Sequence, residues 1–244
     1  IDIDKTIIFT SDPIEIAIVK IAQVLEDSKN NFNELSIHQK VDNYFLGKNV
    51  IIGSDTIIAP NVFIDNNAVI GHRCYIGPNS YIGSDTIIKD NVSIGASSTI
   101  GANSFYHYYE NDCLHELKGL GRVIIEKNVS IGSNTVIQKG TFSDTKIGES
   151  CKIGNLIDIG HDVIIGNNCK IVSQTGIASN VKIKNNVTIY GQVGISNDIS
   201  IEDNACIYAK SLICKNVKSN EIVSGIYACN HLDNLKMIVK LRRL

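Results

Sequence analysis

Among six histidines and seven cysteines, one histidine stands in a setting suited to acid–base work. His161 lies in Asp158-Ile-Gly-His161-Asp162. Either neighbouring carboxylate, Asp158 or Asp162, could orient the imidazole and raise its basicity, so that it takes a proton from an attacking nucleophile. His72, in Ile70-Gly-His72-Arg73-Cys74, has the same local spacing but no irregular neighbour, and reads as structural. His107 and His115 fall in an aromatic stretch, FYHYYENDCLHELKGLG, over 105–121. The odd cysteine count and the absence of any CxxC argue against a disulfide framework or a four-cysteine zinc site.

The element that must position His161 is a repeat. From Leu46 an isoleucine recurs every six residues to Ile100, again at Ile125, Ile131 and Ile137, and then from Ile147 to Ile213. Of these 25 positions 24 are Ile, out of 43 Ile in the chain, and Gly follows 12 of them. A period of six fits neither a helix nor simple alternation. It describes short flat strands joined by corners, one Ile per face pointing inward, three faces closing a triangular coil of about 18 residues. The small or β-branched residue four places on (Val50, Ala68, Cys74, Cys151, Cys169) fills a corner from inside, and the Gly after each Ile is expected to ease the backbone there.

Functional residues are sought where regularity fails. The predicted organisation is a β–α cap and linker over 1–45, a β-helix over 46–221 and a helical tail over 222–244. In the cap, Lys5–Thr10 reads as a strand, and a helix after Ser11-Asp12-Pro13 carries an apolar stripe of Ile14, Ala17, Ile18, Ile21 and Leu25, closing the bottom of the prism. Residues 105–121 have no room inside and must be extruded as a loop, whose Phe105, Tyr106 and His107 are candidate substrate contacts. Between Ile137 and Ile147 ten residues replace six, so 138–146 bulge one corner. In the tail, Asn230 caps a helix with Leu232, Leu235, Val239 and Leu241 or Leu244 as apolar positions and basic residues at its end.

Coil register joins these features. Ile137 and Ile159 share a face of consecutive coils, which stacks His161 over Lys139, a further candidate substrate contact, at the start of the bulge. Ser179, 18 residues on, lies above His161, where its backbone N–H could serve as an oxyanion donor. His72 and His161 are too many coils apart to share a zinc ion, which disfavours a carbonic anhydrase of this architecture. The net charge of −2 gives no nucleic-acid footprint. No apolar run approaches membrane-span length, and IDIDKTIIFT lacks a signal-peptide pattern, so a soluble cytoplasmic protein is expected.

These repeats resemble the hexapeptide-repeat acyltransferases. The resemblance implies an all-β fold: a left-handed parallel β-helix of about eight coils with a small N-terminal β–α cap and a C-terminal α-helix. Residues 121–169, GRVIIEKNVSIGSNTVIQKGTFSDTKIGESCKIGNLIDIGHDVIIGNNC, are similar to the lipid A pathway UDP-3-O-acylglucosamine N-acyltransferases. Residues 7–27 and 223–241 are similar to that family's corresponding segments. The resemblance implies His161 as catalytic base, the Ser179 amide as oxyanion donor, and Asn155 and Asp158 as polar substrate positions. It further implies a homotrimer with sites between subunits, no tightly bound cofactor, and acyl-CoA or acyl carrier protein as cosubstrate. The acceptor would be a nucleotide-linked amino sugar of surface glycan or lipopolysaccharide biosynthesis.

The departures sit at substrate-facing positions. A GxDGFGY-like sequence reads GANSFYH (101–107), the Asp-Arg-Gly of the bulge reads Gln138-Lys139-Gly140, and a second family histidine corresponds to Asp198. They favour a sibling enzyme acting on a smaller nucleotide-linked amino sugar. The lipid A N-acyltransferase itself, a sugar O-acetyltransferase and a non-enzymatic structural β-helix are the alternatives.

Overall fold

The computed structural model describes residues 17–22, 24, 39–41, 43–225 and 231–242. The strand expected at Lys5–Thr10 and the cap at Asn230 lie outside these. Every one of the 25 lattice positions falls inside a short strand, and Ile222–Val223 adds one more. The strands stack in parallel on three flat faces. On the first face Ile64, Ile82, Ile100, Ile137, Ile159, Ile177, Ile195 and Ile213 pair in succession. The second face runs from Ile52 to Ile201 and the third from Ile58 to Val223. The stack amounts to nearly nine coils, and Gln39–Val41 closes the first face with an antiparallel strand on Tyr44–Leu46.

One inward Ile per face fills the prism, and from Ile64 to Ile213 these side chains are almost wholly buried. Each contributes roughly 1.5–3 kcal/mol by removal from water. The small inward slot also takes polar groups, several of which donate to a carbonyl of the next coil. Ser80 Oγ reaches Gly95 O at 3.1 Å, Thr135 Oγ1 reaches Gly154 O at 3.0 Å and Cys151 Sγ reaches Gly166 O at 3.0 Å.

The corners correct the reading of glycine. The left-handed residue is the third after nearly every lattice position and is usually Asn or Asp, as in Asn49 (φ 57), Asn67 (φ 59) and Asn180 (φ 59). These side chains tolerate that region best among residues with a Cβ. The Gly directly after Ile is needed for a different reason: coils approach closely there, and a Cβ on Gly53 would lie 2.6 Å from the carbonyl carbon of Gly71.

Both insertions, the segment 105–121 and the bulge 138–146, fall on the single corner between the first and second faces, in consecutive coils. The extruded segment is a β-hairpin, Tyr106–Glu110 paired with Cys113–Leu117, turning on Asn111 and Asp112, both left-handed. The described N-terminal residues 17–22 are helical and pack on this hairpin rather than at the bottom of the prism. Val19 and Ala22 are buried against Leu117, Tyr106, Tyr108 and Leu120, whereas Ile18 is exposed. The aromatic hairpin decides which helix face is covered, so Val19, outside the expected stripe, is its most buried residue. The C-terminal helix, His231–Leu241, leaves Met237, Ile238, Val239 and Leu241 exposed. Among the described residues no helix is long and apolar enough to cross a membrane.

Candidate active site

His161 is the first residue clear of the first face after the inward Ile159, and it is only 8% exposed. Its Nδ1 lies 2.7 Å from Asp162 Oδ2. Asp162 in turn holds the bulge of the coil below. Its Oδ1 accepts from the Phe142 N–H (3.2 Å), the Ser143 N–H (2.8 Å) and the Ser143 hydroxyl (2.9 Å), and its Oδ2 from the Thr141 N–H (3.2 Å). Burial by itself would raise the Asp162 pKa, but the bonds from His161, Ser143 and Thr141 outweigh it and lower the pKa to about 2. An ionised Asp162 can only accept, so Nδ1 carries hydrogen and the Nε2 lone pair is presented on the other side of the ring. The extra residues of the bulge thus build a socket that fixes both the rotamer and the tautomer of His161.

A pocket of about 650 Å³ opens on this ring. Tyr106 from the hairpin root and Phe142 from the bulge form its aromatic side. Tyr106 stands edge-on to Phe142 (5.3 Å between centroids) and to His161 (5.9 Å). The opposite side is polar, with Ser179, Asn180, Asn197 and Asp198 on the two coils above. Ser179 is in register over His161, since Asp158 and Ile159 pair with Gly176 and Ile177 and the Asn180 N–H bonds the His161 carbonyl at 3.0 Å. At three equivalent positions on the other corners the backbone N–H is capped by a side chain of the next coil: Ser133 by Asn155, Glu149 by Asn167, Asn167 by Asn185, each at 2.8 Å. The Ser179 N–H has no such cap; Asn197, one coil above, donates its amide to Asp198.

A second depression of about 340 Å³ runs along the outer surface of the first face beside this corner. Successive rungs there carry Asp158, Gly176, Gly194 and Leu212. A Cβ on Gly176 would meet nothing within 4 Å, and neither Gly176 nor Gly194 has a positive φ. The chain's own backbone and packing therefore do not call for these two glycines. Outward glycine in a strand marks a place where another molecule comes close. The groove and the His161 pocket share Ala178.

The family described as bacterial transferase hexapeptide (six repeats) matches residues 67–102 and 144–179, and the hexapeptide repeat of succinyl-transferase matches 122–155. The chain is a hexapeptide-repeat, left-handed β-helix. Over 44 residues, 18% of its length, this β-helix is 59% identical to a UDP-3-O-acylglucosamine N-acyltransferase of Rhizobium meliloti (strain 1021). That match spans 12% of the relative. In fold it is similar to UDP-N-acetylglucosamine acyltransferases from Bacteroides fragilis 9343 and Campylobacter jejuni. The first has TM-score 0.69 and 23% identity, over 82% of this chain and 78% of that one; the second has 0.68 and 20%, over 82% of each.

Of the residues singled out in the sequence, the β-helix brings His161, Asp162, Ser179 and Tyr106 together. The others lie elsewhere. Asp158 stands on the flat outer face, at the groove rather than the ring. Partial burial raises its pKa against a hydrogen bond from Gln138. Asn155 is at the corner between the third and first faces, where it caps Ser133. Lys139 N–H bonds the Ala102 carbonyl, and the residue does not line the pocket, because the bulge presents Phe142 and Ser143 there instead. Phe105 and His107 pack edge-on with each other (4.5 Å) outside the pocket. His72 sits on the corner between the second and third faces, with Nδ1 accepting the Ser54 N–H at 2.9 Å, an ordinary corner cap. Phe142, Ser143, Asn180 and Asn197 escape sequence reasoning. Asn180 and Asn197 were reachable by continuing the 18-residue register above His161.

Proposed function

We propose that this β-helix is an N-acyltransferase that moves an acyl group from a thioester to the amine of a nucleotide-linked amino sugar. The observation that carries the reading is the conjunction at one corner of an imidazole with its Nδ1 on a partly buried carboxylate and, in register above it, an uncapped backbone N–H. In the reaction the acceptor amine occupies the 650 Å³ pocket and attacks the thioester carbonyl. His161 Nε2 takes the proton as the new C–N bond forms, Asp162 supports the imidazolium, and the Ser179 N–H stabilises the oxyanion. Collapse expels the thiolate, which recovers a proton from His161. The glycine-backed groove holds the extended arm of the donor, acyl-CoA or acyl carrier protein. Tyr106 and Phe142 supply a flat apolar wall suited to a sugar face. The relatives' names support a UDP-sugar-like acceptor; surface glycan or lipopolysaccharide biosynthesis is the setting we propose for it. A homotrimer would cover the outward glycines and place each site between subunits.

Incubation with acetyl-CoA and longer acyl-CoAs against a panel of nucleotide-linked amino and hydroxy sugars tests this, with products read by mass and by resistance to hydroxylamine. The expected product is a hydroxylamine-stable amide on an amino sugar. Ester formation on hydroxy sugars alone would replace it with O-acyl transfer.

A further inference from the structure

The pocket over His161 is acidic. Among the described residues that line it are two carboxylates, Asp162 and Asp198, and neither Lys nor Arg. Asp162 is committed to His161 and to the bulge. Asp198 is exposed, and the acyl-transfer steps above make no use of it. It stands in the second coil above Asp162, since the Asn180 N–H bonds the His161 carbonyl and the Asp198 N–H bonds the Ser179 carbonyl. At 4.7–4.9 Å per coil that is roughly 9–10 Å up the corner. Asn180 Nδ2 donates to Asp198 Oδ1 at 2.6 Å and Asn197 Nδ2 to its Oδ2 at 2.8 Å. A side-chain ladder of this kind is ordinary for the prism: on the same corner Asn67 Nδ2 donates to Asp85 Oδ1 at 3.2 Å. What sets Asp198 apart is that its ladder ends on the pocket.

The two amides fix the plane of the Asp198 carboxylate and take one acceptor site on each oxygen. A carboxylate oxygen has two, so one on each oxygen is left for a ligand. Two acceptors side by side match two hydroxyls on adjacent carbons. From this geometry we infer that Asp198 is a substrate-binding residue, whose carboxylate accepts from two adjacent hydroxyls of the acceptor's sugar ring and selects an amino sugar that carries such a diol. A sugar ring with its amine at His161 Nε2 and its diol at Asp198, a hydrogen bond of about 2.8 Å at each end, bridges the two-coil gap beside Tyr106 and Phe142. The nucleotide's diphosphate stays outside, because two carboxylates without a cation repel it. The inference rests on this pocket being the seat of an amino-sugar acceptor, and it deepens that reading by naming the feature of the sugar that is recognised.

Steady-state kinetics of Asp198→Asn test it. Asparagine already takes this left-handed place at Asn67, Asn168 and Asn186, so the variant is expected to fold. The probes are UDP- and dTDP-linked amino sugars with two adjacent free ring hydroxyls, each paired with a counterpart that lacks one of the two. On a diol acceptor Asp198→Asn should raise the acceptor KM by about tenfold, because a hydrogen bond to a carboxylate is roughly twice as strong as one to a neutral amide. Turnover and the thioester KM should stay within about twofold. On the deoxy counterpart wild type should show a comparable rise, and the substitution should add little to it. Asp85→Asn, in the same kind of ladder but away from the pocket, should change none of these. An unchanged acceptor KM in Asp198→Asn overturns the inference. So does an equal rise on the diol and deoxy acceptors, which is what a merely structural ladder would give. If wild type acylates none of the amino sugars, the underlying reading fails and the inference with it, and that failure is seen before any variant is compared.

Discussion

Replacing Asp162 by Asn at neutral pH imitates the protonated carboxyl, and its cost can be worked from the socket. A fall from an ordinary 3.8 to about 2 corresponds to about 2.5 kcal/mol at 1.36 kcal/mol per decade, and residual solvent screening reduces this to about 2 kcal/mol. The sign follows from the direction. Because the folded carboxyl is the stronger acid, its stabilisation is fully present above the unfolded value and is lost as pH falls through the window from about 4 to about 2. Urea unfolding of wild type and Asp162→Asn at fixed protomer concentration should therefore differ by about 2 kcal/mol at pH 7, with the gap closing below pH 4. A gap that stays constant down to pH 2.5, or no gap at pH 7, would refute the claim that an ionised Asp162 organises the bulge. The same variant should lose turnover, since the bulge and the imidazole share that carboxylate.

Other outcomes follow from the same geometry. Ser179→Pro deletes only the proposed donor N–H. Pro60 and Pro78 already occupy the equivalent place two residues after Ile58 and Ile76, so the fold should persist while kcat falls about 10²–10³-fold, whereas Ser179→Ala should retain near-normal turnover. Gly176→Leu fills the groove without meeting the chain's own atoms. It should leave the thermal midpoint unchanged or higher and raise KM for the thioester while sparing KM for the acceptor; equal effects on both would remove the groove as the donor's seat. Tyr106→Ala strips one aromatic wall from the pocket and should raise acceptor KM, read in the same assay.

The lattice was legible because each isoleucine meets the same physical demand, one inward side chain per face. The register it imposed held through the bulge, pairing Ile137 with Ile159 and setting Ser179 over His161. What escaped needed the corners. Asp158 and Asp162 both stand close to His161 in sequence, three residues before it and one after, yet Asp158 precedes an inward Ile and so points out from a flat face, while Asp162 takes the left-handed corner and turns to the ring. The 26 Asn carried the clue to those corners, since asparagine accepts the left-handed region that each coil repeats, but glycine drew the attention. Asn155 was assigned by resemblance, and within the chain it stands at a different corner from His161. The N-terminal helix could not be placed from its own stripe, because the surface that covers it is the hairpin about 90 residues further on.

The central claim is that His161 is the base of an acyl transfer at this corner. Its most direct test is the turnover number of His161→Ala against wild type with one acyl donor and one nucleotide-linked amino sugar, both saturating, with thermal unfolding recorded on the same samples. The account predicts a loss of about 10²–10⁴-fold in kcat with an unchanged unfolding midpoint. Turnover equal to wild type in a folded His161→Ala protein would contradict it, and would mean that the amine arrives neutral and needs no base from the chain.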